Sequence, residues 1–298
     1  MLRQLVVNAD DLGVTVGVND GIFEAHDRGI LTSASLLANA PATDDAVRRV
    51  RSRPSLGVGV HLALVDGAPI LPASQIPSLV GDGGRFPRSW KPFIVSCLSR
   101  RISLLEVERE LTAQIERLRE SGVALTHLDA HKHVHAYPPV FAIVAKLAAR
   151  FGIPVVRVPY ERRAPAGDTH GDAWQTLRRQ RWLNAAMWPW ARRNYRTAAS
   201  FHLRVPHFAG RVHTGVLDRP ALRETLRHLR PGVTELMVHP GHADGALKQM
   251  DTRLRESRDR EIALLCSMET RAILAAERIQ LVRHDLAHST RKVFRHVS

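Results

Sequence analysis

Short apolar runs along the chain alternate with segments in which apolar residues recur every three or four positions. The first run, Leu5 to Val7, ends at the polar sequence NADD (8–11), and a helical pattern follows it. This combination predicts a buried strand followed by a helix. The same alternation predicts further strands at 33–37, 57–64, 124–128, 154–158 and 234–238. Strands that alternate with helices form parallel sheets. We therefore predict an α/β fold, a distorted (β/α) TIM-like barrel of about seven parallel strands.

The ends of several helices carry recognisable signals. Ser103 and Gly122 bracket the clearest apolar stripe, while Pro138 and Gly152 begin and end another helix. Thr43 is predicted to be the N-cap of a helix that continues to position 51.

The chain contains no Gly/Ser-rich linker, so a single domain over residues 1–282 is expected. Pro and Gly interrupt residues 66–102, which we interpret as an insertion or lid. A second, helical insertion is expected near 161–200, where tryptophan and arginine are frequent. Residues 283–298 are predicted to form a basic, poorly ordered tail.

Basic residues are in excess, with 43 Lys+Arg against 29 Asp+Glu and a formal net charge of +14. One interpretation is an anionic partner, such as nucleic acid or a membrane surface. The other is the arginine-rich residue usage of a high-GC genome. The basic residues are scattered and no nucleic-acid-binding motif is present, which argues against nucleic acid. Peripheral contact with an anionic membrane stays open.

Neither Cys97 nor Cys266 belongs to a CxxC motif, and no apolar segment reaches the length of a membrane span. The N-terminus lacks the apolar region of a signal peptide. These features predict a cytoplasmic protein that touches the inner membrane face, if at all, only peripherally.

A run of polar residues with a period of two follows the start of the strand predicted at 124–128. In an extended chain its members would share one face: His127, Asp129, His131, His133 and His135. Packing gives no reason to line one face with imidazoles and a carboxylate, and imidazole is the most common ligand of transition metals in proteins. We therefore predict a metal site here, in preference to a surface histidine run.

Other polar residues also lie at or near strand ends. Asp10 and Asp11 follow the first strand, His61 lies in the third, and His239 ends the strand at 234–238. Each alone has a structural alternative, as a helix cap, a core histidine or part of a turn. Together they fall at the carboxyl ends of the strands, where a (β/α) barrel places its active site. Ligands from different strands with an open coordination position are typical of a catalytic metal centre.

These motifs resemble those of the YdjC-like carbohydrate deacetylases. Residues 8–13, NADDLG, are similar to the family's opening NADDFG motif, with Leu12 in place of Phe. Residues 59–62 resemble its GxH motif, 126–135 its THLDSHxHxH motif, and 235–241 its late HPG motif. The Arg- and Trp-rich middle of the chain and its basic tail are most similar to the hopanoid-biosynthesis subgroup of the family.

The resemblance implies one divalent metal ion held by Asp11, His61 and His131, with Asp10 as general base and His239 as general acid. Two imidazoles and a carboxylate suit Zn2+, whereas Mg2+ is often assigned in this family, so both metals stay open. The implied reaction removes the N-acetyl group of an amino sugar and releases acetate. The subgroup suggests a lipid-linked (hopanoid) N-acetylglucosamine as the substrate.

Asn39, Arg157 and His133 are further candidates for holding the substrate. Each of two of these residues could instead have a purely structural role. Arg157 could form a salt bridge to Glu161, and Asn39 could form a hydrogen bond within the fold. Two rival functions remain at this point: a metal phosphoesterase acting on sugar phosphate or nucleic acid, and a non-enzymatic nucleic-acid-binding protein. A phosphoesterase usually needs more carboxylates or a second metal, and the sequence offers no second ligand set.

Overall fold

The computed structural model describes residues 2–81, 83–165 and 172–287 and shows an α/β fold built on a curled parallel sheet. The strands, in chain order, are β1 Arg3–Leu12, β2 Ser33–Leu36, β3 Gly57–Leu62, β4 Leu125–Ala130, β5 His207–Ala209, β6 Gly232–Val238 and β7 Ile279–Leu281. Their order across the sheet is β4-β3-β2-β1-β6-β5, and β7 pairs with β1.

The helices lie around this sheet and follow its strands along the chain. They are α1 Val16–Asp27, α2 Thr43–Val50, α3 Trp90–Leu98, α4 Leu104–Glu120, α5 Pro138–Phe151, α6 Asp172–Ala186, α7 Trp188–Ser200, α8 Arg219–Arg227, α9 Gly245–Gln249, α10 Glu256–Cys266 and α11 Met268–Ala276. Short 3-10 segments cover Ala73–Gln75 and His131–Ala136.

The central strand β1 organises the sheet. It pairs with β6 along one edge, while its other edge pairs first with β7 and then with β2. Every residue from Gln4 to Leu12 is buried. A strand covered on both faces reads as a continuous apolar run, which explains why Leu5 to Val7 was detectable in the sequence. The strand extends further than that run because backbone pairing continues through the two aspartates.

Several predicted helix ends are confirmed. The Ser103 hydroxyl accepts a hydrogen bond from the Glu106 amide at the start of α4, and Gly152 ends α5 in the left-handed conformation, with φ of 68°. The predicted cap at Thr43 is wrong. Thr43 is the first residue of α2, and its hydroxyl donates to the Leu37 carbonyl, 2.7 Å away, in the preceding loop. That bond removes the side chain from the capping position.

The strand predicted at 154–158 does not form a ladder. Its residues make isolated parallel bridges, Leu128 with Val156 and Val155 with Arg204. Pro154 and Pro159 flank the segment, and proline has no backbone N–H to extend a ladder. The described residues therefore show a curled half-barrel of parallel strands, and the closed TIM-like barrel stays a prediction.

The two predicted insertions contain defined helices. Residues 66–102 include α3, which was not predicted, and the Trp- and Arg-rich segment forms α6 and α7 with a break at Met187. At the C-terminal end, residues 283–287 pack against the sheet, where the His284 ring lies 4.0 Å from the His127 ring. The rest of the predicted tail, 288–298, lies outside the described residues. No helix in the described part of the chain is long and apolar enough to cross a bilayer.

Candidate active site

A cavity of about 2010 Å3 opens at the carboxyl ends of the strands. Its lining includes seven of the eight residues for which a catalytic, metal-binding or substrate-binding role is expected: Asp10, Asp11, Asn39, His61, His131, His133 and His239. These residues lie at the ends of five different strands or in the loops that follow them, so the parallel arrangement brings them to one end of the sheet. Arg157, the eighth, is buried behind the cavity.

Asp11, His61 and His131 converge on one point. A ligand atom from each lies within 4.8 Å of the other two. The Asp11 Oδ1 atom is 3.6 Å from His61 Nε2 and 3.0 Å from His131 Nδ1. One carboxylate and two imidazoles from three segments of the chain form a donor set that suits a divalent transition metal. In its donors and spacing, this cluster fits the metal ion that the motifs imply.

The backbone at Asp11 makes this convergence work. Consecutive side chains of a regular strand point to opposite faces, yet both Asp10 and Asp11 line the cavity. Asp11 adopts a left-handed conformation with φ of 72°, and the register of β1 against β2 shifts between Ala9 and Leu12. This conformation is uncommon outside glycine but several-fold enriched in Asp. The break thus begins at Asp11, two residues before Gly13, whose φ is also positive at 97°.

Each of the three candidate ligands is held from behind by a charged partner. Asp129 Oδ1 lies 2.7 Å from His61 Nδ1, and the Arg258 guanidinium donates to Asp11 Oδ2 over 2.6 Å. Asp66 Oδ2 lies 3.5 Å from His131 Nε2. Partners of this kind fix the tautomer and orientation of metal ligands. They leave His61 Nε2, His131 Nδ1 and Asp11 Oδ1 facing one another.

Charges in this cluster favour an ionised Asp11 and protonated rings at His61 and His131. Burial acts to raise the pKa of Asp11, but Arg258 and His131 outweigh it and hold that pKa well below its usual range. Burial acts to lower the pKa of His131, but hydrogen bonds to Asp11 and Asp66 raise it to about 9. The pKa of His61 is also raised, because Asp129 and Asp10 outweigh burial. The protein thus gathers negative charge where a cation, or protons in its place, would bind.

Asp10 sits in a different environment, a buried cage around Arg157. The Arg157 Nη1 and Nη2 atoms each donate to one Asp10 oxygen over 2.7 Å, and the Asn8 amide donates to Oδ1 over 3.1 Å. The same guanidinium contacts Asp129 at 2.7 Å and Glu235 at 2.6 Å. Its partners are these carboxylates and not Glu161. The guanidinium thus points at Asp10 and away from the cavity, a position from which it orients a carboxylate.

His239 lines the cavity beside the two aspartates. Its backbone N–H donates to Glu261 Oε2 over 2.6 Å, which fixes the end of β6. Burial lowers the pKa of the His239 ring to about 4, despite the nearby Asp10 and Asp11. The ring is therefore neutral at neutral pH and can offer one N–H and one lone pair.

The predicted histidine face is wrong beyond Ala130. The chain leaves the strand there and turns, with φ of 49° at Lys132 and 55° at His133. Of the three histidines after Ala130, only His131 joins the candidate metal cluster. His135 Nε2 lies 3.0 Å from the Arg157 carbonyl, and the His133 ring stands edge-on to Phe208 at 6.0 Å.

His127 also points away from the cavity, with Nε2 3.0 Å from the Ser35 hydroxyl. Its ring lies so close to Gly59 that a Cβ there would be 2.5 Å from it. The glycine of the GVHL segment therefore leaves room for the His127 ring.

Four charged residues around the site were not predicted from the sequence: Asp66, Glu235, Arg258 and Glu261. Asp66 follows β3 closely, so the rule of polar residues at strand ends could have found it. Arg258 and Glu261 lie in α10, where a buried charge in a helical pattern was the available signal. Glu235 lies inside an apolar strand and is fully buried.

Comparison with known proteins agrees with this geometry. The YdjC-like protein family model matches residues 4–276. A carbohydrate deacetylase from Brevibacillus brevis is 33% identical over 94% of this chain and 97% of its own length. One from Geobacillus stearothermophilus is 44% identical over 56% of this chain and 66% of its own length.

A solved structure from Enterococcus faecalis is also similar. It is provisionally described as a cellobiose-phosphate cleavage protein, and it superimposes with a TM-score of 0.77 at 26% identity, covering 97% of this chain and all (100%) of that one. The matched region contains the strand-end motifs and the elements that carry Asp66, Arg157 and Arg258. The chain belongs to the YdjC-like family.

Proposed function

We propose that this protein is a metal-dependent hydrolase that removes the N-acetyl group from an amino sugar and releases acetate. The observation that carries the proposal is the convergence of Asp11, His61 and His131 on one point beside the separately held carboxylate of Asp10. The similarity to carbohydrate deacetylases over almost the whole chain supports the same reaction. A single catalytic domain over residues 1–282 would contain all of these groups.

Asp11, His61 and His131 would hold the divalent ion. A bound ion would supply positive charge that polarises the acetyl carbonyl and lowers the pKa of water. The donor set suits Zn2+ on softness grounds, and Mg2+ remains the alternative. Asp129, Asp66 and Arg258 would keep the three ligands aimed at the ion.

Asp10 would act as the general base. It faces the cavity next to Asp11, and Arg157 holds both of its oxygens in place. In the reaction a water oxygen bonds to the acetyl carbon while its proton passes to Asp10. Arg157 would be the positioning residue for this base, because it touches Asp10 and lies outside the cavity.

His239 would assist the departure of the amine. The C–N bond breaks as the nitrogen gains a proton, and the electron pair of that bond stays on nitrogen. Because the ring is neutral at neutral pH, it would not start the reaction as an imidazolium but would relay to the amine nitrogen the proton that Asp10 took from water. The products would be acetate and the free amino sugar.

Asn39 and His133 would contact the sugar. Both line the cavity, and His133 Nδ1 is buried without a hydrogen-bond partner in the described structure. Asn39 is tied to the insertion at 66–102 through the Ala68 carbonyl at 2.7 Å. The cavity of about 2010 Å3 exceeds the roughly 300–1,000 Å3 of ordinary small-molecule sites. This size would suit a larger acceptor, such as a lipid-linked (hopanoid) N-acetylglucosamine.

Acetate release from a panel of N-acetylated sugars and glycolipids tests the proposal. The metal-stripped protein should be inactive and should regain activity with Zn2+ or Mg2+. The matched control is Asp11→Asn, which keeps the size of the side chain but weakens the ligand. Equal turnover before and after metal removal would exclude the metal role. Release of phosphate from sugar phosphates, with none of acetate, would favour a phosphoesterase instead.

A further inference from the structure

The hairpin formed by α6 and α7, residues 172–200, has two faces of different chemistry. Its inner face lines the cavity through residues that include Gln180, Leu183, Met187 and Trp190. The ring of Trp190 also packs against Tyr137 at 5.5 Å. The inner face therefore has its partners within the molecule, and the outer face requires a separate explanation.

The outer face, away from the cavity, has a row of exposed tryptophan and arginine side chains on each helix, and Trp188 also packs on Tyr160 with ring centroids 5.2 Å apart. Residues at i, i+4 and i+8 lie on one side of a helix, and each helix of the hairpin has such a row. All six side chains are exposed: Trp174, Arg178 and Trp182 on α6, and Trp188, Arg192 and Arg196 on α7. Trp182 is the most exposed large apolar residue of the hairpin, at 76%.

Apart from Asp172 at its start, the hairpin carries only positive charge. No Asp or Glu occurs from 173 to 217, whereas the hairpin contains six arginines and four of the five tryptophans of the chain. The side chains of Arg178, Arg192 and Arg196 form no ion pair with any described carboxylate. Exposed apolar side chains rimmed by polar or charged ones typically mark an interaction site.

We propose that the outer face of the α6–α7 hairpin docks this protein on an anionic lipid bilayer. Tryptophan rings favour the headgroup level of a membrane, and arginines are attracted to anionic lipids. The exposed rows are short and mixed, which suits reversible attachment at the interface rather than insertion. A nucleic acid would also attract the arginines, but the indole side chains on the same rows favour a lipid surface.

Docking by this face has a consequence for the cavity. The inner face of the same two helices lines the cavity, so the lipid surface would lie about one helix diameter, roughly 10 Å, from the cavity wall. The protein would then take its acetylated sugar from a lipid-borne molecule. This last step rests on the proposed deacetylase function, whereas the docking itself does not.

Sedimentation of the full chain with vesicles tests the proposal. Vesicles of phosphatidylglycerol and phosphatidylcholine should bind the protein, and vesicles of phosphatidylcholine alone should bind it far less. At about fivefold in affinity per basic residue near the surface, Arg192→Glu should weaken binding about 25-fold, because one attractive charge is replaced by a repulsive one. Trp182→Ala should weaken it as well, and binding should fall as salt rises.

Arg109→Glu is the matched control. Arg109 is an exposed arginine on α4, and this substitution makes the same change of net charge away from the hairpin. Equal loss of binding in Arg109→Glu and Arg192→Glu would overturn the proposal, since it would show attraction by overall charge alone. Absence of binding to anionic vesicles would also overturn it.

Acetate release from a water-soluble acetylated sugar separates the two proposals. It should be unchanged in Arg192→Glu and Trp182→Ala, because neither residue lines the cavity. If vesicle binding fails while soluble sugars are deacetylated, only the docking proposal falls. If vesicle binding persists while no acetylated sugar is hydrolysed, the proposed function falls instead.

Discussion

Asp10 and Asp11 are neighbours in the chain and belong to two different regions of the site. From its buried position behind the cavity, Arg157 donates hydrogen bonds to both oxygens of Asp10. Arg258 holds only one oxygen of Asp11 and leaves the other facing His61 and His131. A carboxylate with both oxygens fixed is suited to orienting and receiving a proton, and one with a free oxygen is suited to binding a cation. One residue of left-handed backbone separates these two roles.

The two regions also differ in the number of carboxylates that pair with a single arginine. Arg157 faces Asp10, Asp129 and Glu235, and all four side chains are buried. Arg258 faces only Asp11 among the described carboxylates within 4 Å. The buried region is thus a cage of three carboxylates around one arginine, whereas the candidate metal cluster above it leaves its ligand atoms facing the cavity.

The largest effect is expected from removing the centre of the cage. Arg157→Met should lower the free energy of unfolding by about 3–5 kcal/mol, the usual loss when one partner of a buried ion pair is deleted. Its three carboxylate partners would remain buried without a counter-charge. Urea denaturation of the metal-free protein measures this loss. Arg258→Met is the control and should cost less, since it strands one carboxylate. Equal losses would show that the three carboxylates around Arg157 do not make it more important for stability than Arg258.

The next effect is on turnover and separates the two aspartates. Asp10→Asn should reduce kcat by roughly 100-fold or more, the scale of general-base catalysis, while metal content stays near one ion per chain. Asp11→Asn should instead lower the metal content at a given free-metal concentration. Metal analysis and acetate release on the same samples check both results. Normal turnover by Asp10→Asn would remove that residue from the mechanism.

Much of this contrast could be predicted from the sequence, for a physical reason. Parallel strands bring their carboxyl ends to one side of the sheet, so polar residues at the carboxyl ends of β1, β3, β4 and β6 could be assigned to one site from the sequence alone. Apolar runs in the sequence predict the strands themselves, and the run from Leu5 to Val7 predicts the central strand, β1.

The partners of the two arginines could not be predicted in the same way: Arg157 was expected to hold the substrate, and Arg258 was not singled out. Arg157 lies 147 positions from Asp10, and Arg258 lies 247 positions from Asp11. Contacts between residues so far apart in the sequence depend on how distant segments pack together, and no local sequence pattern indicates this. The histidine face failed for a related reason, because Lys132 and His133 take left-handed conformations that non-glycine residues seldom signal.

A smaller effect is expected from the partners behind the histidines. Asp129→Asn should lower metal affinity by about 10- to 100-fold, because loss of an outer partner leaves the ligand less basic and less well oriented. Asp66→Asn is the matched change at the other histidine. It should have a weaker effect, since Asp66 is 3.5 Å from His131 whereas Asp129 is 2.7 Å from His61. Calorimetric metal titrations distinguish the two, and the reverse order would contradict the distances.

The smallest effect, per unit of pH, concerns competition between protons and metal. The pKa of His131 is raised to about 9, mainly because hydrogen bonds to Asp11 and Asp66 outweigh burial. Below that pH the metal-free ring is protonated and must lose its proton to bind a cation. Metal affinity should therefore rise about tenfold per pH unit from 7 to 9 and then level off.

Stability of the metal-free protein should move in the opposite direction. A group whose pKa is higher in the folded state than in the unfolded chain stabilises the fold fully below its unfolded pKa of about 6.5. For His131 that contribution should disappear as pH rises through about 9. Unfolding in the presence of a chelator, followed from pH 6 to 10, should show this fall, and Asp11→Asn should reduce it. If metal affinity were constant over the same pH range, the His131 ring would already be neutral before the metal binds. In that case Asp11 would not raise the pKa of His131.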